Sequence, residues 1–226
     1  MTDWRKILPD KKYCIMDMDG TLVDSMPYWN RLSPDYLNGR GIFGDMDDIM
    51  EQIKTMTMPE ACAFLKRQFS LPDTPEEISA QLREVMRGHY EKDIPLKKGV
   101  RSYLERLRAE GTRLCIVTAT SMPLVHLCLS RLGIESCFDF IMSCEEVGRG
   151  KDYPDAFLEA ARRLGAQPSE VAVYEDAFQA LQTAASAGFY TVAVFDPYSD
   201  KWEESREIAD LIIEDWDKAS TNRNKV

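Results

Sequence analysis

The sequence predicts an α/β fold, a doubly wound parallel sheet with an α-helical module inserted after the first strand. Three observations lead there. Short apolar runs recur along the chain, separated by longer segments of helical period. The runs lack polar alternation, as strands buried on both faces do. One long stretch, between Ser25 and Pro95, contains no strand-like run.

Lys12 to Met18 (KYCIMDM) is the first run, and it ends in acidic residues and Gly20. It reads as a buried strand entering a tight turn. The following stretch carries two helical stripes, Met46, Ile49, Met50, Ile53 and Ile78, Leu82, Val85, Met86. Thr74-Pro75-Glu76-Glu77 has the form of a helix start, with a capping box and proline at the first helical position. Residues 25–95 are therefore expected to form a helical cap unit, and residues 1–24 plus 96–226 the α/β core. Asp24-Ser25-Met26-Pro27 and Ile94-Pro95-Leu96 would be the hinges.

From Val100 on, strand and helix alternate. Val100, Tyr103, Leu104 and Leu107 mark one helix, and Phe157, Ala160, Ala161 and Leu164 another. Strand-like runs lie at Arg113 to Thr118, Phe138 to Met142, Val171 to Tyr174, Tyr190 to Phe195 and, more weakly, Ala209 to Ile213. Gly111, Gly133, Gly165 and Gly188 stand where helices should stop. This alternation argues for an open doubly wound sheet. Lys218 to Val226 is polar and is expected to fray.

Composition narrows the function. The formal net charge is −10. Such a chain repels nucleic acid and anionic membranes, which both require a positive face. No stretch is apolar enough for long enough to span a bilayer. The first residues show no secretory pattern, so a cytoplasmic location is expected. The six cysteines, Cys14, Cys62, Cys115, Cys128, Cys137 and Cys144, form no C-x-x-C pair and read as reduced small hydrophobes.

The chemistry concentrates at strand ends. Asp17 and Asp19 close the first run, where open α/β sheets place their ligands. If the strand extends through them, alternation points both side chains the same way. Two converging carboxylates repel each other, and a divalent cation relieves the repulsion; hard oxygen ligands suit Mg2+. Gly20 permits a sharp turn and close approach. Thr118 offers a hydroxyl at the end of another run. Lys151 follows a glycine-rich loop, and Glu175-Asp176 repeats the acidic ending.

Acid, hydroxyl, cation and acid, in that order, resemble the haloacid dehalogenase-like (HAD) phosphatase superfamily, in its helical-cap branch, which includes β-phosphoglucomutase-like phosphatases. Asp17-x-Asp19-Gly20-Thr21-Leu22-Val23-Asp24-Ser25 matches the first motif, Thr118 the second, Lys151 with Pro154-Asp155 the third, and Glu175-Asp176 the fourth. The resemblance implies a Mg2+-dependent phosphohydrolase with a Rossmann-like core, acting on a small phosphorylated metabolite. It implies that Asp17 attacks phosphorus and that Asp19 serves as acid and then base. Thr118 and Lys151 would hold the phosphoryl group. Asp17, the main-chain carbonyl of Asp19, and Asp176 would ligate the metal, with Glu175 assisting. Thr21, Trp29, Lys54 and Ala119 are the further candidates for substrate contact.

The chain departs from the family pattern in two places. Ala177 and Ala180 stand where the family often has Ser and Gly, and loss of that hydroxyl is expected to loosen the support of the metal ligand. Trp29 stands where sugar phosphomutases of this branch carry a histidine, and an indole cannot shuttle a proton as imidazole does. Hydrolysis is therefore expected over a β-phosphoglucomutase-type reaction. A receiver-like regulatory protein also combines Asp, Mg2+, Thr and Lys, but this chain is too long and has an insertion after the nucleophile. A monomer is expected.

Overall fold

Each strand-like run overlaps a strand of the structure. The computed structural model describes residues 8–53, 56, 58–199, 201–216 and 220–221. Strand β1 (Tyr13–Met16) is followed by four helices, α1 (Met26–Asn38), α2 (Asp47–Ile53), α3 (Met58–Phe69) and α4 (Pro75–Lys92). Strands and helices then alternate: α5 (Val100–Ala109), β2 (Arg113–Thr118), α6 (Met122–Leu132), β3 (Phe140–Ser143), α7 (Asp155–Leu164), β4 (Val171–Glu175), α8 (Phe178–Ser186), β5 (Tyr190–Val194), α9 (Trp202–Ile208) and β6 (Leu211–Ile213). A two-residue strand, β7 (Ser220–Thr221), pairs antiparallel with β6. The other strands are parallel, in the order β3-β2-β1-β4-β5-β6-β7.

Compactness divides the chain into Met1–Met26 with Pro95–Val226, and Pro27–Ile94. In the first unit the strands supply alternate residues to each sheet face. Ile15, Cys115, Val117, Met142 and Val173 meet Phe157, Ala160 and Leu164 of α7 on one face. On the other face Tyr174 of β4 meets Tyr103 of α5, with ring centroids 6.0 Å apart and hydroxyls 3.0 Å apart. Each large apolar side chain buried in this way contributes about 1.5–3 kcal/mol. The cysteines are all free, and burial pushes the Cys14 thiol up to about 12, which keeps it unreactive near neutral pH.

In the second unit, α4 starts as its capping box requires. Glu77 N–H donates to Thr74 Oγ1 at 3.2 Å, and Thr74 N–H donates to Glu77 Oε2 at 2.7 Å. Ile78, Leu82, Met86 and Tyr90 form its buried face. Val85, expected in that stripe, is 37% exposed, because the buried row follows four-residue spacing and leaves Val85 beside it. Strand edges also moved. Phe138, expected in β3, closes a 3-10 turn by donating to Glu135 O, so β3 starts at Phe140. Among the described residues, no helix is long and apolar enough to cross a membrane.

The order of the strands places the site. From β1 the chain builds outward through β2 and β3, then returns to add β4 on the other side of β1. Ligands of such sheets bind at the carboxyl ends of the strands flanking this reversal. Those ends are Met16 and Glu175.

Candidate active site

Register brings the acids together. Met16 lies opposite Tyr174, and Asp17 N–H continues the ladder by donating to Tyr174 O at 3.0 Å. Asp17 is thereby level with Glu175. Carboxylate oxygens of Asp17, Glu175 and Asp176 all lie within 4.8 Å of one another, and all three residues are buried.

Asp19 arrives by a different route from the one alternation suggests. β1 ends at Met16, so strand geometry stops short of it. A tight turn takes over: Leu22 N–H and Val23 N–H both donate to Met18 O, and Gly20 N–H donates to Val23 O. Gly20 has φ +75° and packs directly on Asp176; a Cβ there would lie 2.5 Å from Asp176 Oδ2. Gly20→Ala therefore has two costs, a left-handed alanine at about 1–2 kcal/mol and a displaced carboxylate. We expect a lower melting temperature, measured by thermal melts.

Lys151 enters from the loop before α7. Its ammonium donates to Asp17 Oδ1 and to Glu175 Oε1, the latter at 2.6 Å, with all three side chains at most 11% exposed. Burial alone would lower the pKa of Lys151, but Asp17 and Glu175 outweigh it and hold the ammonium above its ordinary value. Burial, with repulsion from Asp17 and Asp176, pushes Glu175 well above the usual carboxylate range against the pull of Lys151. Asp17 is raised by burial and by Asp19, again opposed by Lys151. Burial and the charge of Asp17 raise Asp176 to about 6, opposed by hydrogen bonds from Ser199 and Thr21.

The end of β2 supplies hydroxyls. Ile116 pairs with Met16, so Thr118 lies two residues further along the adjacent strand, at the same sheet edge as Asp17. Thr118 is buried, and its Oγ1 accepts Thr120 N–H at 3.1 Å. The Thr120 hydroxyl donates to Asp19 Oδ2 at 2.7 Å. Ala119 between them is exposed. Thr21, a candidate for substrate contact, is fully buried and donates to Asp176 Oδ1 at 3.0 Å. In the helical unit, Trp29 Nε1 donates to Tyr90 Oη at 3.2 Å. Lys54 lies outside the described residues.

Two contacts escaped the sequence. Thr120 could have been found as a second hydroxyl two positions after Thr118. Ser199, which donates to Asp176 Oδ2 at 2.7 Å, sits in the loop after β5 and carries no motif.

The donor set fits a hard divalent cation. Three clustered carboxylates face one ammonium, leaving an excess of negative charge in a buried place. Asp176 accepts one hydroxyl on each oxygen, and each oxygen retains a lone pair for a metal. Oxygen-only ligands of this kind suit Mg2+.

Comparison with known proteins agrees with this architecture. The chain is similar to the phosphorylated carbohydrates phosphatase of Thermotoga maritima, 27% identical over 178 residues that cover 77% of this chain and 80% of that protein. It is similar to the bifunctional riboflavin kinase/FMN phosphatase of Arabidopsis thaliana, 26% identical over 211 residues. That match takes in 89% of this chain but spans only 55% of the relative. Among solved structures, CbbY from Rhodobacter sphaeroides in complex with phosphate shares the fold, with a TM-score of 0.72 at 23% identity over 92% of this chain and 96% of that one. A family model described as a haloacid dehalogenase-like hydrolase matches residues 11–188, most of the sequence, with Asp17, Thr118, Lys151, Glu175 and Asp176 inside the match, and the chain therefore belongs to that family.

Proposed function

We propose that the protein is a Mg2+-dependent phosphohydrolase of small phosphorylated metabolites that works through an aspartyl-phosphate on Asp17. The observation that carries this reading is the buried cluster at the sheet reversal, where Lys151 bridges Asp17 and Glu175 beside Asp176. Both relatives described above are named as phosphatases. The one named for phosphorylated carbohydrates points to esters of that class as the first substrates to try.

The residues divide the work as follows. An Asp17 oxygen attacks phosphorus while the bond to the leaving oxygen breaks. Asp19, oriented by Thr120, gives its proton to that oxygen. Asp19 then takes a proton from water as the water attacks the aspartyl-phosphate, which frees inorganic phosphate and restores the Asp17 carboxylate. Lys151 and Thr118 hold the equatorial oxygens, whose charge dominates a phosphoryl-transfer transition state. Asp17, the main-chain carbonyl of Asp19, and Asp176 would hold Mg2+, and Glu175 supports them through Lys151. When bound, Mg2+ supplies the positive charge that allows an anionic ester to approach an anionic nucleophile.

Residues 25–95 act in this reading as the cap unit that selects the substrate, and residues 1–24 with 96–226 as the catalytic core. Main-chain hydrogen bonding near the hinges supports that division: Asp24 N–H donates to Pro95 O at 2.9 Å, and Val23 pairs with Leu96. Trp29 favours hydrolysis over isomerisation. Its ring nitrogen is a donor engaged with Tyr90 and has no basic lone pair.

The test is phosphate release across a panel of sugar phosphates, nucleotides and small esters, with Mg2+ and with chelator. At least one ester is hydrolysed, and the chelator slows it by about 100-fold or more, roughly 2.7 kcal/mol of barrier. From a sugar 1-phosphate the products are free sugar and phosphate. Hydrolysis that proceeds undiminished in chelator removes the metal from the mechanism.

A further inference from the structure

A carboxylate that ligates a metal must be held in its plane, or it rotates away from the cation. Asp176 is held at both oxygens, by Thr21 on Oδ1 and by Ser199 on Oδ2. Thr21 is fully buried beside the turn that carries Asp19. The next residue after Asp176 cannot help: Ala177 opens α8 with no side-chain cap and no hydroxyl. The second donor comes from the loop that follows β5, distant from Asp176 in the chain.

That loop is built to present Ser199. Asp196 Oδ1 accepts Tyr198 N–H at 2.9 Å, and Asp196 O accepts Ser199 N–H at 3.1 Å, which closes a tight turn. Asp196 is itself fixed. Its buried Oδ2 lies 2.8 Å from Lys97 Nζ, in an ion-pair contact rather than an aligned hydrogen bond. Lys97 Nζ also donates to Phe195 O at 2.8 Å, and Lys97 N–H donates to Leu22 O at 3.0 Å. The serine thus hangs from a turn anchored to the segment around Leu22, the same segment that carries Thr21.

We infer that Ser199 is a positioning residue for the metal site, supplying from the β5 loop the hydroxyl that Ala177 lacks and fixing Asp176 for a divalent cation. This rests on the reading of Asp176 as a metal ligand. Partners of ligating groups typically govern affinity by 10–100-fold. The expectation from sequence alone, a loosened metal ligand, is thereby replaced by a relocated support.

The experiment is calorimetric titration of Mg2+ into the metal-free full-length protein. Ser199→Ala raises the dissociation constant by about tenfold or more. Ser199→Cys, which fills the same space with a poor donor, raises it in the same direction. Ser199→Thr keeps the hydroxyl and binds as the parent does. Asp176→Asn distinguishes the metal site from its support. If Asp176→Asn binds Mg2+ as tightly as the parent, the metal reading fails and the role of Ser199 fails with it. If Asp176→Asn weakens binding but Ser199→Ala and Ser199→Cys do not, only the role of Ser199 is overturned. That role is equally overturned if Ser199→Thr is as weak as Ser199→Ala, because the hydroxyl would then be irrelevant.

Discussion

Asp17→Asn is expected to lose turnover by at least about 10⁴-fold, the scale on which removal of a nucleophile acts, while remaining folded. The carboxamide cannot form the bond to phosphorus that Asp17 is assigned. It can still accept from Lys151 through its oxygen, so the lysine keeps a partner there as well as at Glu175. Folding should not suffer. Burial and the nearby Asp19 charge raise the pKa of Asp17 above its ordinary value against the pull of Lys151, so the ionised form opposes the metal-free fold. A neutral amide removes that opposition. Steady-state phosphate release and thermal melts in chelator check both halves. Turnover within tenfold of the parent would exclude Asp17 as the nucleophile. A large fall in melting temperature would show instead that its charge is structural.

How far the sequence disclosed this site depends on how local each contact is. Asp17, Glu175 and Asp176 were visible because an apolar strand that stops in acidic residues marks a sheet edge. Their meeting then follows from parallel register, with Met16 opposite Tyr174. Lys151 was visible only through its motif; as a single lysine after a glycine-rich loop it looks like any surface residue. Nothing local says that it is buried between two acids. Thr120 and Ser199 depend on how two loops fold back over the strand ends, which no periodicity encodes. The Trp29 to Tyr90 hydrogen bond joins residues far apart in the helical unit and was equally hidden. Capping at Thr74 was legible because the box lies within four residues. Strand limits shifted where a turn competed for the same backbone groups, as at Phe138 and beyond Met16.

Lys151→Met tests the electrostatics of the cluster most severely. Methionine matches the aliphatic stem and removes the ammonium. Asp17 and Glu175 then face each other and Asp176 in a buried site without the ammonium that bridged them. Breaking a buried ion pair from one side costs about 3–5 kcal/mol, and we expect a loss of that order in the metal-free protein near neutral pH. The loss must depend on pH with a defined sign. Asp17 and Glu175 are already raised above their ordinary values in the folded protein, and removal of Lys151 raises them further. Groups raised in the folded state stabilise it below their unfolded values and cease to do so as pH rises through the folded ones. The gap between parent and variant is therefore small near pH 4, close to ordinary carboxylate values, and widens toward pH 8. Mg2+ narrows it, because a cation at Asp17 and Asp176 replaces part of the missing charge. Urea unfolding in chelator at both ends of that range, repeated with Mg2+, gives the comparison. A gap of equal size at both pH values would mean that Lys151 acts through its packing. The same substitution should slow phosphate release by about 10²–10³-fold, the typical effect of deleting one preorganised donor to a developing charge. A variant that lost stability but retained full turnover would assign Lys151 to the fold and leave Thr118 as the phosphoryl-binding side chain.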